Sequence, residues 1–359
     1  METMIWVGMD VHARSTHAAA VVAATGELRR VRFGAGAESV VAWLQELPAP
    51  VRACYEAGPT GYGLARAALL AGVAVDVIAP SKTPRAPGER IKTDRRDAEL
   101  LVRLLMAGQL RPVAIPTPGV EALRDLTRAR DRIRADLLRA RHRVSKLLLR
   151  YGRMWPADRG TWTREHHRWL EGQRFDDTNL ELAFLDALAA VDALLRRRDA
   201  LDQRLIVAAQ DPDVAAAVAR LCAFRGINTL TAVGLHAEIH DWQRFARPGR
   251  LAAWLGLVPS LYQSGESAQS GAIRKSGSRH ARRLLVEAAW HYQRPPSRGV
   301  ALRRRQDGVD QRVVDISWRC QHRVHRIHTR LRDRGKPANV ATVAAARELA
   351  CFLWAAMRE

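Results

Sequence analysis

Apolar and polar positions in the first third of the chain alternate in short runs, each closed by an acid, a turn or a proline. Met4–Asp10 is a mostly apolar run with β-branched residues, too short for an ordinary helix, and predicts a strand ending on a carboxylate. Thr16–Ala24 is a second such run, and Thr25-Gly26-Glu27 turns the chain into a third, Leu28–Phe33. Glu38–Leu47 has the spacing of a short amphipathic helix, Val51–Tyr55 is a strand ending at Glu56, and Thr60–Ala71 is helical. Val73–Ile78 is a further strand closed by Ala79-Pro80, and a helix runs from about Asp94 to Met106.

Three meandering strands followed by β–α units is the order of a ribonuclease-H-like sheet, with the fourth and fifth strands parallel. We assign residues 1–112 to this α/β domain and expect the remainder to be all-α. Residues 113–212 form a long-helix region. Val120–Tyr151 carries Leu123, Leu126, Ile133, Leu137, Val144 and Leu148 near heptad spacing, and Leu180–Ala209 carries Leu182, Leu185, Leu188, Val191 and Leu205. The connector between them, 152–178, holds Trp155, Trp162 and Trp169 and a short helix. Two such helices make a coiled-coil arm or pack on their own domain, and periodicity does not choose between these. Residues 213–298 contain Phe224-Arg225-Gly226-Ile227-Asn228, a tight turn between helices that resembles a helix-hairpin-helix, then a Ser/Gly-rich loop from Pro259 to Gly277, then an Arg-laden helix, Ser278–Tyr292. A helical tail, 299–359, breaks at Gly335-Lys336-Pro337.

Charge narrows the function classes. Lys and Arg number 58 against 37 Asp and Glu, a net +21 in 359 residues. An excess of this size is best explained by a polyanionic partner, and the dominance of Arg suits bidentate contact with phosphate. No run is apolar enough to span a bilayer, so no membrane partner is expected. Cys54, Cys222, Cys320 and Cys351 lie far apart, which argues against a zinc site or disulfide framework and suits a reducing cytoplasm, and with a nucleic-acid partner the expected location there is the nucleoid.

Four acids stand where chemistry would need them. Asp10 and Glu56 end strands that are neighbours in the expected topology, and Asp94 and Asp97 share one face at a helix start. Clustered carboxylates repel one another unless divalent cations bridge them, so the set predicts Mg²⁺, with two ions able to hold both oxygens of a phosphodiester exchange. Each acid also has a plain structural reading, as a helix cap or turn acceptor. His12 and His17 are expected near the surface or behind the ligands. In the serine loop a hydroxyl among arginines is suited to attack on phosphate, but composition alone favours a phosphate-gripping loop.

Asp10, Tyr55-Glu56-Ala57-Gly58-Pro59-Thr60-Gly61, Lys92-Thr93-Asp94-Arg95-Arg96-Asp97-Ala98, and Gly256-Leu257-Val258-Pro259 with Ser264-Gly265, Gly271, Ile273 and Lys275 occur together and in order. Over about 1–110 and 215–292 the chain resembles the DEDD transposases of the insertion sequence 110 family, the bridge-RNA-guided recombinases. The resemblance implies a RuvC-like domain, a coiled-coil arm and a C-terminal transposase domain. It implies that Asp10, Glu56, Asp94 and Asp97 bind metal and that Ser264 is the nucleophile, in a loop that also holds Ser260, Ser267 and Ser270. It further implies a homo-oligomer, dimer or tetramer, with acids and serine drawn from different subunits, and an element-encoded RNA that pairs with target and donor DNA. Arg95, Arg96, Arg225, Arg274, Lys275, Arg279, Arg282 and Arg283 are the expected nucleic-acid contacts. The nearest rival is a metal-dependent RuvC-like nuclease or Holliday-junction resolvase without serine chemistry. A sugar-kinase-like ATPase is disfavoured, because Val11-His12-Ala13-Arg14 offers no glycine after the first acid. A non-catalytic binder would have no use for the acids.

Overall fold

The computed structural model describes residues 4–48, 50–84, 94–265 and 267–359, so Lys92, Thr93 and Glu266 lie outside the described residues. The chain forms two compact units, Met1–Ile115 and Pro116–Glu359. It is mixed α/β, with a sheet in the first unit and a mostly helical second unit.

In the first unit five strands, β1 (Ile5–Val11), β2 (Thr16–Val22), β3 (Leu28–Phe33), β4 (Val51–Glu56) and β5 (Ala74–Ile78), form a sheet of order β3-β2-β1-β4-β5. The first three run antiparallel in a meander, while β4 and β5 are parallel to β1, as the pattern predicts. Side chains alternate between faces. Ile5, Val7, Met9 and Tyr55 face α1 (Glu38–Glu46) and α2 (Gly63–Leu70), where Val40, Leu44, Leu64 and Ala68 complete a buried cluster. Cys54 and Ile78 face α3 (Asp94–Met106) and pack with Leu101 and Leu105. Burial on both faces is why β1 and β4 are almost continuously apolar.

Gly8 determines how α3 sits. A Cβ at this position would overlap the Ala98 carbonyl oxygen and lie 2.5 Å from the Val102 amide nitrogen. The helix backbone therefore rests directly on the central strand, and its first turn is brought to the C-terminal end of β1.

In the second unit α4 (Pro118–Arg150) and α6 (Thr178–Ala208) pack antiparallel, with Arg130 paired to Asp202 near one end and Leu148 clustered with Phe184 near the other. Each starts on a side-chain cap, Thr117 accepting from the Val120 amide and Asp177 from the Leu180 amide. Their outer core is Leu137, Ala140, Val144 and Leu148 against Phe184, Leu188 and Val191, closed by Leu170 of α5 (Arg164–Glu171). Leu182 and Leu185, expected in the seam, are 60% and 44% exposed, because Phe184 occupies it and they fall on the flanks. Trp155, Trp162 and Trp169 of the connector surround His166, with ring centroids 5.1, 5.2 and 5.7 Å away.

The inner ends of α4 and α6 join a larger core built by α7 (Pro212–Cys222), α8 (Thr229–Ile239), α9 (Pro248–Trp254), α10 (Arg279–Ala289), α12 (Gln311–Asp333) and α13 (Ala338–Ala356). Short α11 (Val300–Gln306) precedes α12, and the chain breaks between them at Gly308 (φ 72°) as well as at the expected Gly335. The C-terminal stretch is part of this core: Cys320, Val324, Ala345, Leu349 and Leu353 are buried among α7–α10 residues. The segment expected to be a loop is a two-stranded ribbon, β6 (Pro259–Ser264) and β7 (Ser267–Ile273), turning at Gly265 (φ 56°). The described β6 side chains are exposed or only partly buried, so no apolar alternation marks the strand.

Candidate metal centre and serine ribbon

The four acids of the sequence reading all belong to the first unit. Asp10 lies near the end of β1, opposite His17 of β2 in the antiparallel register. Met9 is paired with Tyr55 of β4, so Asp10 and Glu56 each lie one step further on adjacent parallel strands, about 4.8 Å apart in backbone. Both leave the sheet face that α3 covers. Asp94 and Asp97 are in the first turn of α3, which Gly8 lets down onto that face.

Asp10, His12 and Asp94 place one ligand atom each within 4.8 Å of one another. His12 Nε2 is 3.1 Å from Asp10 Oδ2 and 3.5 Å from Asp94 Oδ1, and His17 Nε2 is 3.7 Å from Asp94 Oδ2. Burial pushes the Asp10 carboxyl above its ordinary value, His12 pulls it down, and the charges of Asp94 and Asp97 push it up again. Negative charge is thus crowded at this edge, and a cation relieves it. Glu56 Oε1 accepts a 2.6 Å bond from Thr83 Oγ1. A cleft of about 410 Å³ beside His12 is walled by Tyr55, Pro59, Gly61 and Leu64.

His12, expected near the surface or behind the ligands, is half-exposed and touches both Asp10 and Asp94, and Thr83 was given no place by the sequence. His12 is brought in by a tight reversal, its amide bonded to the Ser15 carbonyl, which folds the residue two after the acid back toward it. The only sequence signal was the Asp-x-His spacing. Asp94 is half-exposed and Asp10 20% exposed, so the centre is open to solvent on the α3 side.

The serine ribbon belongs to the second unit. Ser264 ends β6 opposite Ser267, beside Gly265, and is exposed. Ser260 donates to the Ala272 carbonyl across the ribbon, and the side chains of Ser267 and Ser270 lie outside the described residues. At the base of the ribbon Arg282 Nη1 donates to the Leu255 and Ser276 carbonyls, at 2.7 and 2.8 Å, and so holds its entry and exit together.

The expected cationic contacts fall into two groups. Arg95, Arg96, Arg274, Lys275 and Arg279 are exposed, with Arg95 also 3.4 Å from Glu99. Arg225, Arg282 and Arg283 have work within the fold: Arg225 Nη1 donates to the Arg294 and Pro295 carbonyls, and Arg283 pairs with Asp131 at 2.6 Å and with Glu287. The helix-hairpin-helix-like turn is closed in the same way, since a Cβ at Gly226 would meet the Ala288 carbonyl and His291 of the helix behind it.

A second buried charge network ties α4 to α8 and α10. Glu238, with a side chain 2% exposed, accepts from Arg128 Nε at 2.7 Å, Arg128 Nη2 at 3.1 Å and Ser278 Oγ at 2.8 Å, with His280 Nδ1 at 3.5 Å. Burial alone would raise its pKa, and His280, Arg128 and Ser278 more than reverse this, to about 2.

Comparison with known proteins agrees with this architecture. A family model described as "Transposase IS116/IS110/IS902 family" matches residues 218–301, and one described as "Transposase", of the DEDD IS110 type, matches residues 7–152. The chain is 38% identical over 361 residues to the putative transposase y4qE of Sinorhizobium fredii, covering 99% of this chain and 88% of that protein. It is 30% identical over 344 residues to the transposase for insertion sequence element IS1533 of Leptospira borgpetersenii, covering 94% and 99%. An acid-edged α/β unit followed by a helical unit, matched over both halves to transposases, defines an enzyme that acts on DNA. The chain belongs to the IS110 family of transposases.

Proposed function

We propose that this protein is a site-specific DNA transposase that cuts and rejoins strands through Ser264, with a Mg²⁺-binding acid cluster of Asp10, Glu56, Asp94 and Asp97. The observation that carries the reading is the meeting of Asp10 and Asp94 at the C-terminal edge of the sheet. The strand order of the first unit is that of a RuvC-like domain, which supports the same reading. The donor set fits the ion: the acids offer hard oxygen donors, and burial, with the nearby charges of Asp94 and Asp97, disfavours the ionised form of Asp10 that a cation would stabilise. When bound, one or two Mg²⁺ ions would neutralise phosphoryl oxygens there. Asp10 and Asp94 hold the centre, His12 keeps both carboxylates oriented, and Thr83 fixes the Glu56 carboxylate.

In the covalent step Ser264 Oγ gives up its proton and bonds to phosphorus while a backbone P–O bond breaks, and the departing oxygen takes a proton. Attack by the hydroxyl of the incoming strand then releases the serine. Arg274, Lys275 and Arg279 lie close in sequence to the ribbon's exit, and as exposed cations they are suited to hold the phosphoryl oxygens. Target and donor DNA are the substrates, a structured RNA is the guide, the α4–α6 pair is the arm, and a homo-oligomer supplies acids and serine from different subunits.

A strand-transfer assay with adduct trapping tests the chemistry. Wild type yields a covalent protein–DNA species that Ser264→Ala loses together with recombination. Recombination by Ser264→Ala, with no adduct in wild type, would instead establish the resolvase-type alternative. Unchanged activity in Asp97→Ala removes the metal reading. Sequencing of the co-purifying RNA tests the guide: one defined species pairing with element ends is expected, and only random cellular RNA overturns it.

A further inference from the structure

Across the α3 face of the sheet, one row of residues runs from strand to strand. Arg32 of β3 is paired with His17 of β2, and His17 with Asp10 of β1. Partners in an antiparallel register share a face, so the row passes from a guanidinium through an imidazole to the carboxylates, with Arg32 two strands or roughly 10 Å from Asp10. The next row repeats the sign, because Arg30 is paired with Ala19. A cleft of about 380 Å³ on this side is lined by His17, Ala19, Arg30, Arg32 and Arg95.

The charges of this cleft are arranged rather than scattered. Glu99 accepts from Arg30 Nε at 2.6 Å and lies 3.4 Å from Arg95 Nε and 3.7 Å from Arg103 Nη2, so one carboxylate gathers three guanidinium groups and leaves them in excess. Arg32 is exposed on the outermost strand of the sheet.

A cationic cleft one strand removed from a carboxylate cluster suits a polyanion whose next charge lies a short step along the chain. We propose that His17, Arg30, Arg32 and Arg95 form a phosphodiester subsite that holds the DNA strand one phosphate away from the phosphate seated at the acids. The subsite rests on the proposed metal centre for its position along the strand, but not for its affinity. Arg32 touches the backbone, not the reacting atoms, and is a positioning residue.

The full chain is titrated with a duplex DNA and with the matching RNA across a salt series in EDTA. Loss of one phosphate contact lowers the slope of log K against log[salt] by about 0.9, and Arg32→Ala is expected to show this on DNA while Arg32→Lys keeps the wild-type slope. An unchanged slope in Arg32→Ala, an equal loss in Arg32→Lys, or a loss confined to RNA overturns the subsite. A second measurement follows Mn²⁺ binding with and without DNA. If one strand occupies both places, DNA tightens Mn²⁺ binding in wild type and Arg32→Ala weakens that coupling. Coupling unchanged by Arg32→Ala overturns the shared strand. Asp10→Asn serves as the separate control: Mn²⁺ binding undiminished in Asp10→Asn removes the metal centre, while the EDTA slopes still report on the subsite alone.

Discussion

Gly8→Ala adds one methyl group at the place where α3 lies on β1, and the structure sets its cost. The new Cβ would stand 2.5 Å from the Val102 amide nitrogen, 3.0 Å from Leu101 Cβ, and closer still to the Ala98 carbonyl oxygen. Two of these three are helix backbone, so no rotamer change relieves the overlap. The helix must lift by roughly 1 Å to restore ordinary contacts of about 3.5 Å. Overpacking of this kind costs about 1–3 kcal/mol, or a fall in Tm of at least about 4 °C if a kcal/mol is worth roughly that much in a domain near 100 residues. Asp94 and Asp97 travel with the helix while Asp10 stays on the strand, so the acids separate by a similar distance. A displacement of about 1 Å at reacting groups is worth on the order of 100-fold in rate. Thermal melting and Mn²⁺ titration of the full chain check both consequences, with Gly34→Ala, where nothing lies within 4 Å, as the neutral control. If Gly8→Ala melts with the wild type and binds Mn²⁺ equally well, the claim that this glycine sets the spacing of the acids is refuted.

Glu238→Gln tests the buried network of the second unit. The Glu238 carboxyl is lowered from 4.5 to about 2, so its contribution is present above pH 4.5 and is lost as pH falls toward 2. The shift corresponds to roughly 3 kcal/mol, within the usual cost of breaking a buried pair. Urea unfolding should show wild type losing that much stability across the window and the variant losing less; parallel curves would place the acid sensitivity elsewhere. Arg282→Ala removes two charge-assisted bonds to the Leu255 and Ser276 carbonyls, each worth about 1.5–3 kcal/mol. Limited proteolysis should then cut within residues 259–273 well before the helices, and a cleavage pattern identical to wild type would rule out the clamp.

The sheet was legible because burial on both faces makes β1 and β4 apolar runs, and a run that stops at an acid puts that acid at an edge. The edge positions of Asp10 and Glu56 were legible this way, and the helix-start positions of Asp94 and Asp97 from their spacing. His12 was not, because its approach to Asp10 depends on a reversal closed by a backbone bond to Ser15 that leaves no periodic mark. The serine ribbon looked like a loop because strand alternation appears only when one face is buried, and here Leu261 and Tyr262 are both exposed. Arginine composition cannot separate cations bonded to the protein's own carbonyls, such as Arg225 and Arg282, from exposed ones such as Arg279. The periodicity of the C-terminal helices was visible, but not their place: α13 enters the core on Ala341, Ala345, Ala346 and Ala350, whose small size gives a weak hydrophobic signal.

Helix α4 serves two cores, with Leu123 in the inner cluster and Leu137 through Leu148 in the outer one. Between them Arg128 and Arg130 fasten it to α8 and α6. Arg283 of α10 adds a tie at Asp131, and among the described residues the stretch of α4 beyond it packs on α6, α5 and the connector residues Trp162 and Phe175. Whole heptads removed in matched pairs from the two helices would shorten the outer core and keep Leu123, Arg128 and Arg130 in their contacts, which makes the length of this helix pair a quantity the sequence can vary at little cost to the inner core.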